Sequence, residues 1–202
     1  MPYPDRFYPV VDSIAWVARL AALGVGTIQL RVKSLSHAEA TAMVRAALDA
    51  VAGSGAKLVV NDWWRAAIEA GAAHVHLGHE DLAEADVPAI RRAGLTFGLS
   101  THDHMELETA LRCDPDYVAL GPVYPTTLKA MRFAPQGLAR ITEWKRRIGK
   151  IPLVAIGGIT LERAPGVYAA GADSIAVVSD VTQNADPDAR VRAWLGKAAQ
   201  AA

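Results

Sequence analysis

Short apolar runs alternate with longer, alanine-rich segments along the whole chain. The runs are almost continuously apolar, which is typical of parallel strands that are buried on both faces. The segments between them carry apolar residues at helical spacing. The predicted strands are Phe7–Val11, Thr27–Arg31, Leu58–Asn61, His74–Leu77, Thr96–Ser100, Tyr117–Leu120, Leu153–Ile156 and Ser174–Val178. The predicted helices are Ile14–Leu23, His37–Ala52, Trp63–Ala70, Asp86–Ala93, Met105–Arg112, Leu138–Ile148, Leu161–Ala170 and Pro187–Ala201.

This alternation predicts an α/β fold made of repeated strand–helix units. Eight such units match a (β/α)8 TIM barrel, whereas a doubly wound sheet would need fewer strands or an additional layer. Glycine just past most of the predicted helices, as at Gly71, marks where they end. The chain has no linker, charge block or low-complexity segment that would divide it. We therefore expect residues 1–202 to form a single TIM-barrel domain.

Composition narrows the class of protein. The chain has 202 residues, of which 51% are hydrophobic, and 21 basic residues balance 21 acidic ones. This balance gives no overall field that would favour nucleic acid or a membrane surface. The N-terminus lacks a signal peptide pattern, and no apolar run approaches the roughly 20 residues that span a bilayer. A single cysteine, Cys113, fits a reducing compartment. We expect a cytoplasmic protein without nucleic-acid or membrane partners; whether it forms a homo-oligomer stays open.

Polar residues and glycines collect where the predicted strands end. The second strand continues into Gln29, Arg31 and Lys33, whose spacing by two points them in one direction. The third strand ends on Asn61 and Asp62. The corresponding positions after the later strands are Asp81, Ser100, Thr126, Lys129, Gly158, Val178 and Ser179. Because active sites of these barrels lie at the carboxyl ends of the strands, we expect all of these residues at one mouth.

Each of these positions also has a purely structural explanation. Asp62 could cap the helix that follows it, and Asp81 could cap a short turn. The alternation from Gln29 to Lys33 could be the solvated face of an edge strand, and Gly157–Gly158 a tight turn. These explanations do not predict that the groups gather at one end of one barrel, and that gathering favours a binding site.

The residue types suggest an anionic ligand held with a metal ion. Glycines after the seventh and eighth strands are typical of the phosphate site of such barrels, where backbone N–H groups bind the anion. Arg31, Lys33 and Lys129 would add positive charge. Two carboxylates would repel a phosphate directly, but carboxylates and phosphate oxygens together are the ligands that Mg²⁺ prefers. We therefore predict Mg²⁺ bound by Asp62 and Asp81, holding a diphosphate.

Seven motifs in order give a resemblance to a known family. They are QLRVK, VVND, HVHLGHEDL, GLSTH, DYVALGPVYPT, LVAIGGIT and GADSIAVVSDV, and they run through essentially the whole chain. Together they resemble the thiamine phosphate synthase (thiamine-phosphate pyrophosphorylase) family. The resemblance implies a reaction that joins hydroxymethylpyrimidine diphosphate to hydroxyethylthiazole phosphate with release of pyrophosphate. The implied partners are these two small molecules, and the implied cofactor is Mg²⁺.

The resemblance also implies a role for each matching residue. The pyrimidine diphosphate would contact Gln29, Arg31, Lys33, Asn61 and Lys129, and Ser100 would lie against its ring. Asp62 and Asp81 would bind Mg²⁺. The thiazole side would contact Thr126, and its phosphate would be held by Gly158, Val178 and Ser179. No residue is expected to act as a covalent nucleophile.

The chain departs from the family pattern in three places. Trp63 and Trp64 follow the Asn–Asp pair where a polar residue is usual, and we expect them to serve packing. His79 replaces a common glutamine next to the site. Leu128 replaces a hydroxyl residue, which removes one potential hydrogen bond worth about 0.5–1.5 kcal/mol on the thiazole side unless Thr127 substitutes for it.

Three other functions compete with the synthase. A thiazole tautomerase of the same fold would place a catalytic histidine at His102, but Gln29 and Asp81 favour the synthase. A sugar-phosphate epimerase would use a metal site, for which His74 and His76 are the candidate ligands. The surrounding carboxylates do not match that site, and we expect these histidines to be packed. A non-catalytic binder of thiamine precursors is the third alternative, which the sequence leaves open.

Overall fold

Eight parallel strands close into a barrel in chain order, β1 to β8, with β8 pairing back to β1. The structure is a computed structural model and describes residues 3–126 and 133–200. The strands are β1 (Phe7–Val11), β2 (Thr27–Leu30), β3 (Lys57–Asn61), β4 (His74–Leu77), β5 (Thr96–Thr101), β6 (Tyr117–Leu120), β7 (Leu153–Ile156) and β8 (Ser174–Val177). The predicted (β/α)8 barrel is confirmed.

Helices follow the strands and surround the barrel. They are α1 (Ile14–Ala22), α2 (His37–Val51), α3 (Trp64–Ala70), α4 (His79–Glu84), α5 (Val87–Arg92), α6 (His104–Arg112), α7 (Gly137–Ile148), α8 (Ala164–Ala169), α9 (Ser179–Thr182) and α10 (Pro187–Gln200). Within the described ranges, no helix is long and apolar enough to cross a membrane.

Two short helices differ from the sequence prediction. Helices α4 and α9 begin directly after β4 and β8, where the sequence had suggested only polar strand ends. Each is too short to show a helical period, so pattern analysis could not find it. The strand ends also shift, because β2 stops at Leu30 and leaves Arg31 in the loop. The prediction that residues 1–202 form one domain stays a prediction.

The apolar core lies in two layers. Between the strands and helices, Trp144 and Trp194 are fully buried. The indole of Trp144 donates a hydrogen bond from Nε1 to Thr101 Oγ1 at 2.9 Å, which fixes α7 to the end of β5. Inside the barrel, Tyr8 and Tyr117 pack among smaller apolar residues. The interior is therefore filled below the carboxyl ends of the strands.

Gly98 makes room for one of the interior tyrosines. It pairs with Tyr117 in the β5–β6 register, and a Cβ at Gly98 would overlap the Tyr117 ring. Any side chain at position 98 would therefore displace a fully buried aromatic ring.

This packing predicts the effect of Gly98→Ala. We expect the variant to lose about 1–3 kcal/mol of unfolding free energy, because overpacking a filled interior forces side chains out of their preferred positions. Urea unfolding followed by circular dichroism measures the change. Gly196→Ala is the matched control, since nothing lies within 4 Å of a Cβ there. Alanine in the exposed helix α10 should be neutral or stabilising by up to about 1 kcal/mol. Equal stability of the two variants would contradict the packing described.

Candidate active site at the barrel mouth

A cavity of about 570 Å³ opens at the carboxyl ends of the strands. Eight of the residues predicted from the sequence line it: Gln29, Arg31, Asn61, Ser100, Thr126, Gly158, Val178 and Ser179. Lys33, Asp62 and Asp81 lie beside it at the ends of β2, β3 and β4. Lys129 and Leu128 fall outside the described residues. The described members of this set therefore lie together at the carboxyl ends of the strands.

A buried hydrogen-bond network forms the floor of the cavity. Gln29 Nε2 donates to the Tyr8 hydroxyl at 2.7 Å, and that hydroxyl lies 2.9 Å from the hydroxyl of Tyr117. Tyr117 in turn lies 2.9 Å from His76 Nδ1. The other imidazole nitrogen, Nε2, lies 2.8 Å from Ser100 Oγ. The term buried network is used below for these five residues: Gln29, Tyr8, Tyr117, His76 and Ser100.

Burial fixes the protonation of the interior groups. It raises the pKa of Tyr8 and of Tyr117 above the ordinary tyrosine value, so both keep their hydroxyl protons at neutral pH. It lowers the pKa of His76 to about 4, and the positive charge of Arg31 adds to this effect. The imidazole is therefore neutral and carries one proton. His76 is not half of a histidine metal pair, because His74 is engaged elsewhere, with Nδ1 2.6 Å from Thr96 Oγ1.

Asp62 occupies an unusual backbone position at the end of β3. Its φ is 65°, in the left-handed region that aspartate tolerates better than most residues. Helix α3 begins only at Trp64, and its N-cap residue Trp63 makes no side-chain cap hydrogen bond. Asp62 therefore does not cap the helix, which removes the structural explanation for this acid. Both tryptophans pack against apolar residues, as the sequence led us to expect.

Asp62 and Asp81 face each other across the strand ends. Burial and the nearby carboxylate of Asp81 raise the pKa of Asp62 to about 6. The ammonium group of Lys33 opposes this shift from 3.7 Å, measured from Nζ to Asp62 Oδ2. Asp81 lies in the first turn of α4, and its Oδ2 would be 2.8 Å from a Cβ at Gly78. Gly78 thus leaves room for this carboxylate, which caps no helix.

This arrangement fits a magnesium ion. Two carboxylates held against each other in a partly buried site need positive charge between them, and Mg²⁺ commonly takes one or two carboxylates with water and phosphate oxygens. Within residues 3–126 and 133–200, no group of three or more His, Cys, Asp or Glu side chains meets as a metal cluster. A magnesium ion here would therefore take its remaining ligands from water and from the substrate.

The loops after β6, β7 and β8 form the opposite wall. Gly157 has a φ of 100°, and its missing Cβ lets the chain pass Pro122, whose Cα would be 2.6 Å away. The amide of Tyr124 donates to Gly157 O at 3.0 Å, which joins the two loops. Glycine is needed here for the contact between loops as well as for the approach of a ligand.

Arg190 of α10 ties two of these loops together. Its guanidinium donates to both carboxylate oxygens of Asp180, at 2.7 and 2.8 Å. It also donates to both oxygens of Glu162, at 2.9 and 3.0 Å. Trp194 Nε1 adds a third donor to Asp180 at 2.7 Å. Because Asp180 directly follows Ser179, this cluster holds the start of α9 in place.

The hydroxyls of two tyrosines, and the pairing of His102 with Glu106, were not predicted from the sequence. Tyr8 and Tyr117 lie inside apolar runs, where only the topology reveals that their hydroxyls meet. His102 lines the cavity and is oriented by Glu106, whose Oε2 lies 2.7 Å from His102 Nδ1. The i, i+4 spacing of His102 and Glu106 was a signal that could have identified this pair.

Several known proteins are similar to this chain in sequence. A family model described as thiamine monophosphate synthase matches residues 7–181. A Rhizobium etli protein named thiamine-phosphate synthase is 57% identical over 195 residues, which cover 96% of each chain. The chain belongs to the thiamine monophosphate synthase family. Another thiamine-phosphate synthase, from Cronobacter sakazakii, is 53% identical over 92% of this chain and 89% of its own.

Solved structures support the membership. The thiamine phosphate pyrophosphorylase of Pyrococcus furiosus superimposes with a TM-score of 0.85 at 25% identity, covering 97% of this chain and 96% of that one. A 3-hexulose-6-phosphate synthase superimposes with a TM-score of 0.71 at 19% identity and shares the fold alone. Membership in the thiamine monophosphate synthase family makes this chain a transferase of thiamine biosynthesis.

The raised pKa of Asp62 predicts a stability that depends on pH. The folded protein retains the Asp62 proton up to about pH 6, whereas the unfolded chain loses it near the ordinary value of 3.8. Stability therefore falls as the pH rises through this window. Asn tolerates the left-handed backbone and carries no titrating proton. We expect metal-free Asp62→Asn to be more stable than wild type at neutral pH by about 1–3 kcal/mol.

Urea unfolding in EDTA at several pH values measures this difference, which should vanish toward about pH 4. Asp49→Asn, on an exposed position of α2, is the control and should follow wild type. An Asp62→Asn variant less stable than wild type at neutral pH would show that the carboxylate stabilises the fold.

Proposed function

We propose that this protein joins hydroxymethylpyrimidine diphosphate to hydroxyethylthiazole phosphate, giving thiamine phosphate and pyrophosphate. The observation that carries the proposal is the pair Asp62 and Asp81 with Lys33 beside it, next to a cavity large enough for two small ligands. An acid pair in which the pKa of Asp62 is raised and which cations flank suits a metal-bound diphosphate better than an uncharged substrate.

The diphosphate side of the site has positive charge and a free donor. Arg31 lines the cavity, and Lys33 reaches toward the acid pair. Among the described residues, Asn61 Nδ2 is buried without a hydrogen-bond partner in the protein, although Asn61 lines the cavity. A buried donor without a partner is costly, and a ligand oxygen would satisfy it. We assign Arg31, Lys33, Asn61 and, from the sequence, Lys129 to the diphosphate.

Magnesium bound by Asp62 and Asp81 would stabilise negative charge on the departing pyrophosphate. Arg31 and Lys33 contribute to the same stabilisation, because charge develops on the leaving group as the carbon–oxygen bond breaks. The pyrimidine carbon then becomes cationic and is captured by the thiazole nitrogen. The protein needs to hold the two rings in contact and keep water out, which matches a site without a covalent nucleophile.

The thiazole phosphate is assigned to the opposite wall. Gly158, Val178 and Ser179 line the cavity there, and the short helix α9 begins at Ser179. A short helix after the eighth strand is where these barrels bind phosphate. Thr126 lies on the same side and is assigned to the thiazole part of the ligand.

The main alternative is a thiazole tautomerase. That reaction needs neither a diphosphate nor a metal ion, so it leaves the acid pair and its neighbouring cations unexplained. The synthase uses both features, and the relatives at 57% and 53% identity carry the synthase name.

Pyrophosphate release by the purified protein tests the proposal. Both substrates and Mg²⁺ are supplied, and each is left out in turn. We expect release only when all three are present. Asp62→Asn and Asp81→Asn should each reduce kcat at least a hundredfold, with weak rescue at high Mg²⁺, since each removes a charge that holds the metal. Asp49→Asn should keep the wild-type rate. Near wild-type turnover of either site variant would refute a metal-held diphosphate.

Substitutions on opposite walls of the cavity should also change the KM values of different substrates. We expect Lys33→Ala to raise the KM for the pyrimidine diphosphate on the order of tenfold and to change that for the thiazole phosphate little, since a charged contact is worth about 1.5–3 kcal/mol. Arg190→Lys should do the reverse, because lysine cannot bridge Asp180 and Glu162 through a planar fork. Arg19→Lys, which alters an exposed ion pair with Asp188, is the control. Equal effects on both substrates would contradict the division of the cavity.

A further inference from the structure

The hydrogen bonds of the buried network have a defined donor-to-acceptor direction. Each tyrosine hydroxyl carries one proton, and the neutral imidazole of His76 carries one proton on one of its two nitrogens. Every interior member can therefore donate only one hydrogen bond along the path. A tyrosine that accepted from both neighbours would leave its own buried proton unpaired, which is costly. With every proton used along the path, all the hydrogen bonds from Gln29 to Ser100 point the same way.

The amide of Gln29 sets which way that is. Its Nε2 donates to Tyr8, so the Tyr8 proton is directed to Tyr117 at 2.9 Å. Tyr117 then donates to His76 Nδ1, which leaves the imidazole proton on Nε2. Nε2 donates to Ser100 Oγ at 2.8 Å. The groups left over at the cavity lining are the carbonyl oxygen of Gln29, which accepts, the second N–H of the same amide, and the hydroxyl proton of Ser100, which is donated.

We propose that Tyr8, Tyr117 and His76 are positioning residues that determine specificity, because they fix an acceptor at Gln29 and a donor at Ser100. The pocket then selects an aminopyrimidine over its oxo analogue. This inference rests on the proposed function and extends it to residues that do not bind the diphosphate.

The chemistry of the two rings explains the selection. An aminopyrimidine presents an amino group that donates and a ring nitrogen that accepts, which complement Gln29 Oε1 and the Ser100 hydroxyl. The oxo analogue presents a carbonyl and a ring N–H, which is the opposite pattern. To bind it equally well, the Gln29 amide would have to flip and His76 would have to change tautomer. Unpaired polar groups in a closed site reject a ligand strongly.

A merely structural network would satisfy its own buried groups without affecting which pyrimidine binds. A structural role and a role in specificity predict different results when one tyrosine hydroxyl of the network is removed. In Tyr117→Phe, Gln29 and Ser100 are no longer linked, so each can adopt the orientation that suits the ligand. Selectivity is then lost, although the diphosphate contacts remain.

The experiment measures the Kd of hydroxymethylpyrimidine diphosphate in the absence of the thiazole phosphate, and the Kd of its 4-oxo analogue under the same conditions. The ratio of their affinities is compared in wild type, Tyr117→Phe and Tyr8→Phe. We expect the preference for the substrate over the oxo analogue to fall at least tenfold in each variant, because the oxo analogue gains affinity relative to the substrate. Tyr168→Phe is the matched control. Its hydroxyl donates to Arg6 O at 2.7 Å, and Tyr168 does not line the cavity, so its ratio should stay at the wild-type value.

A second measurement on the wild-type protein does not depend on the variants folding. The ¹⁵N chemical shifts of His76 distinguish the two neutral tautomers, and His76→Asn identifies the signal. We expect the proton on Nε2 at neutral pH. A proton on Nδ1 would make Ser100 donate to His76 Nε2 and leave no Ser100 proton for a ligand, which would overturn the proposal. Unchanged ratios in soluble, folded Tyr117→Phe and Tyr8→Phe would overturn it as well.

Failure of this inference is distinguishable from failure of the proposed function. If wild type releases no pyrophosphate with either pyrimidine, the proposed function is wrong. If wild type is active while the ratio stays the same in both tyrosine variants, the reaction stands and the network has a structural role only.

Discussion

The repulsion between the carboxylates of Asp62 and Asp81 is the interaction on which the site depends. A fold selected for stability alone would separate two partly buried acids or give each its own cation. Here β3 and β4 are neighbours in a closed parallel barrel, so their carboxyl ends bring both acids to one point. Asp62 holds its place through a left-handed backbone conformation, and Asp81 through the room left by Gly78. Local strain maintained by a rigid scaffold is typical of a functional site.

The two walls of the cavity are built by different physical means. The wall proposed to bind the diphosphate depends on charged side chains, with the acid pair opposed by Arg31 and Lys33. The wall after β7 and β8 depends on backbone geometry, where glycines let two loops meet and Arg190 joins the loops that carry Asp180 and Glu162. Under the proposed function, a neutral protein would bind two anions in this way, with the charge concentrated at one wall and backbone amides at the other.

The sequence was sufficient for the barrel and for locating most of the candidate site residues at one mouth, because both follow from local patterns. Apolar runs identified the strands, and polar residues at their ends identified the mouth. It could not show that Asp62 leaves α3 uncapped, since that depends on where the helix begins. It could not find α4 and α9, because both helices are too short to show a helical period of apolar residues. Tyr8 and Tyr117 were hidden because they are 109 residues apart and read as apolar. Lys129 and Leu128 lie outside the described residues, so their roles remain sequence predictions.

The interior of the barrel links packing to recognition. Tyr117 reaches His76 and Tyr8 only because Gly98 leaves space for its ring. A side chain at position 98 would move the ring and, with it, the hydroxyl that joins the two halves of the buried network. The order of donors and acceptors at the cavity floor is therefore set by a glycine that contacts no ligand. Pairing of β4, β5 and β6 places His76, Gly98 and Tyr117 side by side, so the same strand register that closes the barrel also positions the groups that would read the pyrimidine.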